Sequence, residues 1–172
     1  MFIKLLYTLL YLTLVSCNVP SSQADINVRT RGIDTLTEKQ KLTDRAKSLY
    51  DSEKYSQAKL CYDTLILLDS TEGEYYFRRG YCKSISDIDI LGAIKDYSKS
   101  IEHNYNKKQK AYLNIGVLHR SNAVFRSSTN SARIVEYNKA LHFFNECLRI
   151  EPENEKALRE KKEVEEILRD VR

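Results

Sequence analysis

The sequence predicts an all-α fold made of repeated helix pairs, and three observations lead to that prediction. Only five Gly and two Pro occur among 172 residues, which is too few for the many turns of a β-sandwich or barrel. Hydrophobic residues make up 42% of the chain and charged residues 30%, as is typical of a folded domain rather than a disordered chain. One pattern of small and aromatic residues also recurs three times along the sequence.

The first element, residues 1–16, is predicted to be a targeting segment rather than part of the fold. A largely apolar run from Leu5 to Val15 follows the basic residue Lys4. A membrane-spanning helix needs about 20 apolar residues, so this run is too short to span. A basic start, a short apolar centre and an exit through small residues are typical of an export signal.

The end of this segment resembles a bacterial lipoprotein signal, through the consecutive residues Leu14, Val15, Ser16 and Cys17. The resemblance implies cleavage before Cys17 and a membrane anchor formed by fatty acylation of that residue, since two or three acyl chains anchor stably. Asn18 in place of Asp implies a bacterial envelope protein on the outer membrane, facing the periplasm. An ordinary secretory signal, in which Cys17 is incidental, is the alternative.

Residues 17–35 are predicted to form a tether between the lipidated Cys17 and a globular domain over residues 36–172. The segment is polar, contains Pro20 and Gly32, and shows no sustained hydrophobic periodicity. A loop packed on the domain is the alternative interpretation.

The domain itself carries the recurring pattern, in which an Ala is followed four residues later by an aromatic residue. The pairs are Ala58 with Tyr62, Ala93 with Tyr97, and Ala140 with Phe144. Residues four apart lie on one face of a helix. Upstream of each pair lies a second helical pattern with a small residue in its middle, at Ala46, Gly80 and Gly116. Small residues at equivalent places predict helices that cross closely.

This pattern resembles the tetratricopeptide repeat family, whose unit is an antiparallel helix pair. The resemblance implies a solenoid of three pairs, over about 39–72, 73–106 and 109–154, with a C-terminal capping helix at 155–172. The third repeat holds about a dozen residues more than the family period of about 34. They fall within 121–136, and we expect both helices to lengthen around a short polar turn. The capping helix is indicated by an apolar stripe in a charged segment, formed by Ala157, Val164, Ile167 and Leu168.

No pattern in the sequence indicates catalysis, a cofactor, a metal site or a small-molecule substrate. His103, His119 and His142 lack metal-ligand spacing, and His119 is expected to pack within its helix pair. The Cys residues after Cys17 are predicted to pack in the core, namely Cys61, Cys82 and Cys147. A bridge between Cys61 and Cys82 is the alternative. The segment containing Asp87, Asp89 and Gly92 is expected to form a turn and helix cap, since it lacks the other oxygen ligands of a calcium loop.

The formal net charge is +4, with basic and acidic residues interspersed, which argues against a nucleic-acid partner. A protein or peptide partner is expected instead, because the resemblance implies that the first helix of each pair lines a peptide-binding groove. The matching positions are Lys47, Tyr50, Asp51, Phe77, Tyr81, Lys110, Leu113, Val117 and Arg120. Basic ends around an apolar middle suit an extended segment with a carboxylate.

The clamp for a C-terminal carboxylate, found in part of that family, is incomplete in this sequence. Lys110 and Asn114 fit places in it, whereas Thr43, Lys47 and Arg78 do not complete it. The leading hypothesis is a non-catalytic adaptor that holds a partner at the membrane. The alternatives are a structural subunit of an envelope assembly, docking by its convex face or capping helix, and an enzyme without a recognisable motif. The groove positions could also be ordinary solvated surface.

Overall fold

The computed structural model describes residues 23–170, with side chains described from residue 36 onward. This part of the chain contains seven α-helices and no strand. The helices are α1 (Gln23–Asp51), α2 (Tyr55–Leu68), α3 (Gly73–Cys82), α4 (Ile90–Glu102), α5 (Lys108–Phe125), α6 (Asn130–Ile150) and α7 (Glu155–Asp170). The predicted all-α solenoid of three helix pairs with a C-terminal helix is confirmed. The signal segment and Cys17 lie outside the described residues, so the lipid anchor stays a prediction.

The chain divides into two compact units, residues 1–40 and residues 41–172. In the first unit the described backbone, from Gln23 onward, is helical. The tether over 17–35 was expected from the lack of sustained hydrophobic periodicity, and its role as a tether stays a prediction. The segment after Pro20 has no further Pro, and a single Gly such as Gly32 costs a helix only about 1 kcal/mol. The second unit contains the helix pairs.

Small residues allow the helices of the second unit to cross closely, as the repeated pattern predicts. Ala46, Ala58, Ala93 and Ala140 are completely buried. At Gly116 the approach is closer still, because a Cβ atom there would lie 2.5 Å from Cε1 of Phe144. The Phe144 ring therefore occupies the space that any larger residue at position 116 would need.

The aromatic residues of the pattern fill three successive hydrophobic clusters. Tyr62 lies in the cluster that joins α1, α2 and α3. Tyr97 lies in the next, among residues of α3, α4 and α5, and Phe144 lies in the third, among residues of α5, α6 and α7. Each cluster thus joins consecutive helices, as expected for a solenoid whose units contact only their neighbours.

A buried ion cluster, which the repeat pattern does not predict, braces α2, α3 and α4. The Asp96 carboxylate accepts two hydrogen bonds from Arg79, at 2.8 and 2.6 Å, and its side chain is 3% exposed. Nζ of Lys83 lies 2.8 Å from the same carboxylate, and Arg79 also donates to Asp63 at 3.0 Å. Charges buried this far are retained only when they are paired.

The connection between α3 and α4 is a π-helical turn, Lys83–Asp87, followed by Ile88 with φ of 52°. A left-handed conformation is unusual for a β-branched residue. Asp89 then caps α4 by accepting a hydrogen bond from the Gly92 amide at 2.9 Å, while Asp87 accepts one from Lys59. The expected turn and cap at this place are confirmed.

The additional residues of the third repeat extend both of its helices, as expected. Helix α5 runs to Phe125 and α6 begins at Asn130, where Thr129 accepts a capping hydrogen bond from the Ala132 amide at 3.1 Å. Asn154 caps α7 in the same way, accepting from the Ala157 amide at 2.9 Å. Helix α7 buries the predicted Ala157, Val164 and Leu168, with Ile167 partly buried. No helix among the described residues combines the length and hydrophobicity needed to cross a bilayer.

Candidate functional site

A concavity of about 400 Å³ lies where the first helices of the three pairs come together, and we refer to it as the groove. It is lined from α1, α3, α5, the turn between α6 and α7, and the start of α7 by Tyr50, Phe77, Tyr81, Lys110, Leu113, Asn114, Glu151, Asn154 and Lys156. A smaller concavity of about 230 Å³ adjoins it, sharing Tyr81, Asn114 and Lys156 and including Val117. A separate space of about 410 Å³ lies between α6 and α7.

The aromatic wall of the groove is built from rings that hold one another in place. The Tyr50 ring centroid lies 5.7 Å from that of Tyr55 and 5.4 Å from that of Tyr81, and the Tyr55 and Tyr81 centroids are 5.4 Å apart. Burial raises the pKa of the Tyr50 hydroxyl far above its usual value. The Tyr50 side chain is therefore a neutral phenol at any physiological pH.

Arg78 supports this wall from the side and is itself held in place. Its guanidinium lies 4.8 Å from the Tyr50 ring centroid, donates to Glu74 at 2.7 Å and lies 3.9 Å from the Asp51 carboxylate. A cation over an aromatic face is an attractive contact. Arg78 therefore holds the Tyr50 ring in place, and its own charge is already paired with carboxylates of the protein.

Two lysines supply the positive charge of the groove. Lys110 comes from the start of α5 and Lys156 from the start of α7. Within residues 36–170, neither ammonium group lies within 4.0 Å of a carboxylate. The acidic lining residue, Glu151, accepts a hydrogen bond from the Asn154 side chain at 3.0 Å. The ammonium groups are thus available to an anionic ligand.

The structure brings five of the nine predicted groove positions together and separates the others. Those on the groove are Tyr50, Phe77, Tyr81, Lys110 and Leu113, and Val117 lines the adjoining concavity. Lys47 and Asp51 are on α1 but do not line the groove.

Arg120, expected as a basic end of the groove, is held by α7 instead. Its Nε lies 2.9 Å from Glu160 and its Nη1 lies 2.9 Å from Glu163. The pairing links α5 to the capping helix and takes up the positive charge that the sequence analysis assigned to ligand binding.

Sequence reasoning did not identify Glu151, Asn154 and Lys156 as groove residues, because it mapped only the first helices of the three pairs. A signal for them existed: α7 follows the third repeat, so its beginning takes the place that a fourth first helix would have. The residues after Pro152 should therefore face the same groove.

The histidine and cysteine residues that the structure describes are packed or paired within the fold. Nδ1 of His119 lies 2.8 Å from Glu136, and its ring stacks on Phe143 at 5.5 Å, as expected for a packing histidine. The thiols of Cys61, Cys82 and Cys147 are buried and free. Burial raises the pKa of Cys82 to about 12 and that of Cys147 to about 11, which keeps both protonated and unreactive. Among the described residues no group of His, Cys, Asp and Glu could hold a metal ion.

No protein-family model and no curated protein matches this sequence, but solved structures do. An Arabidopsis OM64 tetratricopeptide repeat domain matches with a TM-score of 0.61 and 21% identity, covering 74% of this chain and 94% of that one. The first such domain of Spaghetti (RPAP3), bound to an HSP90 peptide, matches with a TM-score of 0.61 and 17% identity, covering 77% of this chain and 94% of that one.

The second domain of human RPAP3, in complex with an HSP70 peptide, matches with a TM-score of 0.57 and 21% identity, covering 72% of this chain and 92% of that one. These domains share helix pairs in the same arrangement along most of their length. The chain therefore has the fold of tetratricopeptide repeat domains.

Proposed function

We propose that this protein is a non-catalytic adaptor whose groove binds an extended segment of a partner protein. One observation carries the proposal: the aromatic residues Tyr50, Phe77 and Tyr81 line the same concavity as two lysines, Lys110 and Lys156. Preformed aromatic surface binds apolar side chains, and lysines without an ion-pair partner attract a carboxylate. A segment with apolar side chains and a carboxylate group fits both features.

The fold supports this proposal, because two of the similar domains were solved with short peptides, SRMEEVD and SGPTIEEVD. Both peptides combine aliphatic and acidic residues. For this chain we propose the class of ligand and not those sequences, since Thr43, Lys47 and Arg78 leave the carboxylate clamp incomplete.

The chemistry of the groove favours binding over catalysis. Its lining residues include no Ser, Cys or His, so the described groove lacks a nucleophile beside a general base. Its carboxylate, Glu151, is hydrogen-bonded to Asn154, and the Tyr50 hydroxyl stays neutral because burial raises its pKa. These groups suit recognition through hydrogen bonds and apolar contact.

Peptides selected from a random library on the immobilised full chain would test the groove. A selected peptide should bind the Tyr81→Ala variant at least about 10-fold more weakly, because truncating a buried anchor typically costs about 2 kcal/mol. Phe125→Ala is the matched control, since Phe125 is 81% exposed and does not line the groove.

A second pair of variants tests whether the positive charge of the groove contributes to peptide binding. Lys110→Glu should weaken binding and reduce its salt dependence, whereas Lys162→Glu, on the exposed face of α7, should leave both unchanged. Equal affinity across all four variants would exclude the groove as the binding site.

We also propose that the adaptor is anchored to a bacterial membrane through Cys17. The support is the sequence Leu14, Val15, Ser16, Cys17 at the end of the apolar run. Cells grown with an alkyne-labelled palmitate should incorporate label into the protein and not into its Cys17→Ala variant. Label in neither protein would remove the anchor and leave the groove proposal unaffected.

A structural subunit of an envelope assembly is the second candidate. The tip of the third helix pair favours it, because Val124 and Phe125 are exposed there, at 47% and 81%. The capping helix suits permanent docking less well, since its exposed residues are mostly charged. Loss of a partner in Glu163→Ala or Glu166→Ala, with groove variants unaffected, would favour docking through α7.

A further inference from the structure

Helix α2 has an outward face that differs from the solvent-facing surface of α7. Its exposed residues include Leu60, Leu67 and Leu68, at 63%, 87% and 61% exposure, which lie on one stripe because they are seven and eight positions apart. The opposite face of α2 is buried in the first hydrophobic cluster. In α7, by contrast, the exposed positions are mainly Glu, Lys and Arg.

Both charged residues of α2 are already paired within the molecule. Lys59 donates to Asp87 at 2.5 Å, and Asp63 accepts from Arg79 at 3.0 Å. The exposed residues of the helix are Ser56, Gln57, Leu60, Thr64, Leu67 and Leu68, none of which is charged. This composition does not suit an acidic peptide or an anionic membrane, both of which need nearby basic groups. It suits a second uncharged helix.

The spacing of the stripe makes it complementary to itself. When two copies of one helix pack antiparallel and cross at the same residue, the position four before the crossing in one copy meets the position four after it in the other. With the crossing at Thr64, Leu60 of each copy therefore meets Leu68 of the second copy, and Leu67 fills the space beside them. A twofold symmetric contact requires this kind of self-matching surface.

Thr64 is suited to the centre of such a contact. Its hydroxyl donates a hydrogen bond to the Leu60 carbonyl at 3.2 Å, so the polar group is satisfied within its own helix. Covering Thr64 then leaves no donor without a partner, and its methyl group adds apolar surface. We propose that the protein forms a twofold symmetric dimer through antiparallel pairing of α2, with Leu60, Leu67 and Leu68 in the contact.

The proposal can be tested with the full chain in the cells that express it, using a short bis-maleimide that joins thiols. Thr64→Cys should give a covalent dimer, because the two copies of this residue face each other at the symmetry axis. Asn138→Cys, at an exposed position on α6, should give no more dimer than the unsubstituted chain. That chain is the baseline for any contribution of Cys17.

Charge substitutions in the Thr64→Cys chain then test the antiparallel register. Leu60→Glu alone or Leu68→Lys alone should lower the dimer yield about 10-fold, because each buries an unpaired charge. The two together should restore most of the yield, since the carboxylate at position 60 of one copy would meet the ammonium at position 68 of the other. Leu158→Glu, on α7, is the control and should change nothing.

Two outcomes would overturn the proposal. Absence of a Thr64→Cys dimer would mean that something else covers α2, or that nothing does. Loss in both single variants without recovery in the double variant would point to a different partner or to lipid. The groove proposal would stand in each case, because none of these substitutions touches a residue that lines the groove.

Discussion

Removing the Asp96 carboxylate should be among the most damaging single changes that this fold can suffer. The side chain is 3% exposed, and it accepts from Arg79 at 2.8 and 2.6 Å and pairs with Lys83 at 2.8 Å. Asp96→Ala would leave two cations, which are 17% and 20% exposed, without their shared anion. Breaking a buried ion pair from one side costs about 3–5 kcal/mol, a large part of the about 5–15 kcal/mol that stabilises a typical domain.

Urea unfolding followed by far-ultraviolet circular dichroism would measure this loss. With a denaturant slope of about 2 kcal/mol per molar, a loss of about 4 kcal/mol lowers the midpoint by about 2 M. Glu102→Ala is the matched control, because Glu102 also forms a short ion pair, at 2.7 Å to Lys99, but in solvent. We expect no measurable shift for it, since exposed pairs are screened by water and salt.

The reasoning makes a further distinction that the same assay can detect. Replacing Arg79 and Asp96 together by apolar residues should cost less than Asp96→Ala alone, because the Arg79 charge is then removed with its partner and only Lys83 loses the Asp96 carboxylate. A midpoint for Asp96→Ala equal to that of Glu102→Ala would refute the claim that this cluster is a buried electrostatic brace.

Two more changes test other parts of the structure. Gly116→Ala should lower the free energy of unfolding by about 1–2 kcal/mol despite the better helix propensity of Ala, because its Cβ would lie 2.5 Å from Phe144; combining it with Phe144→Leu should recover part of the loss in the same urea assay. Stability should also fall in acid as Glu136 is protonated. Although burial raises the pKa of Glu136, hydrogen bonds that include one from His119 lower it overall to about 2, so its contribution is present above the ordinary value of 4.5 and is lost between pH 4.5 and 2. Glu136→Gln should flatten that part of the stability profile by about 1–3 kcal/mol, and an unchanged profile would contradict the assignment.

The fold could be predicted from the sequence because its determinants are local and repeated. An Ala followed four residues later by an aromatic residue fixes which face of a helix is buried, and this pattern occurs at Ala58, Ala93 and Ala140. The extension of the third pair was also predictable, since the residues between its helices contained one short polar segment. Such features depend on positions within one or two helix turns.

The features that sequence reasoning missed depend on residues far apart in the chain. Asp96 appears in the sequence as one acidic residue among 24 Asp and Glu, and its burial follows only from the packing of α2, α3 and α4. Arg120 was assigned to the groove because its position in the repeat suggested it. Its ion pairs with Glu160 and Glu163 join residues about 40 positions apart, so a local pattern could not reveal them. Lys156 was missed because the groove continues past the last repeat into α7.

The three hydrophobic clusters follow one another along the chain, each formed by consecutive helices. This order determines how the second unit would unfold in part. An end of the stack can open while the remaining clusters stay closed, so a protease would trim the protein progressively rather than destroy it in one step. The groove runs across residues that belong to all three clusters, from Tyr50 through Phe77 to Leu113. A peptide bound in the groove would contact all three clusters at once. It would therefore couple their unfolding, so that local opening at one end becomes less favourable and the clusters unfold together.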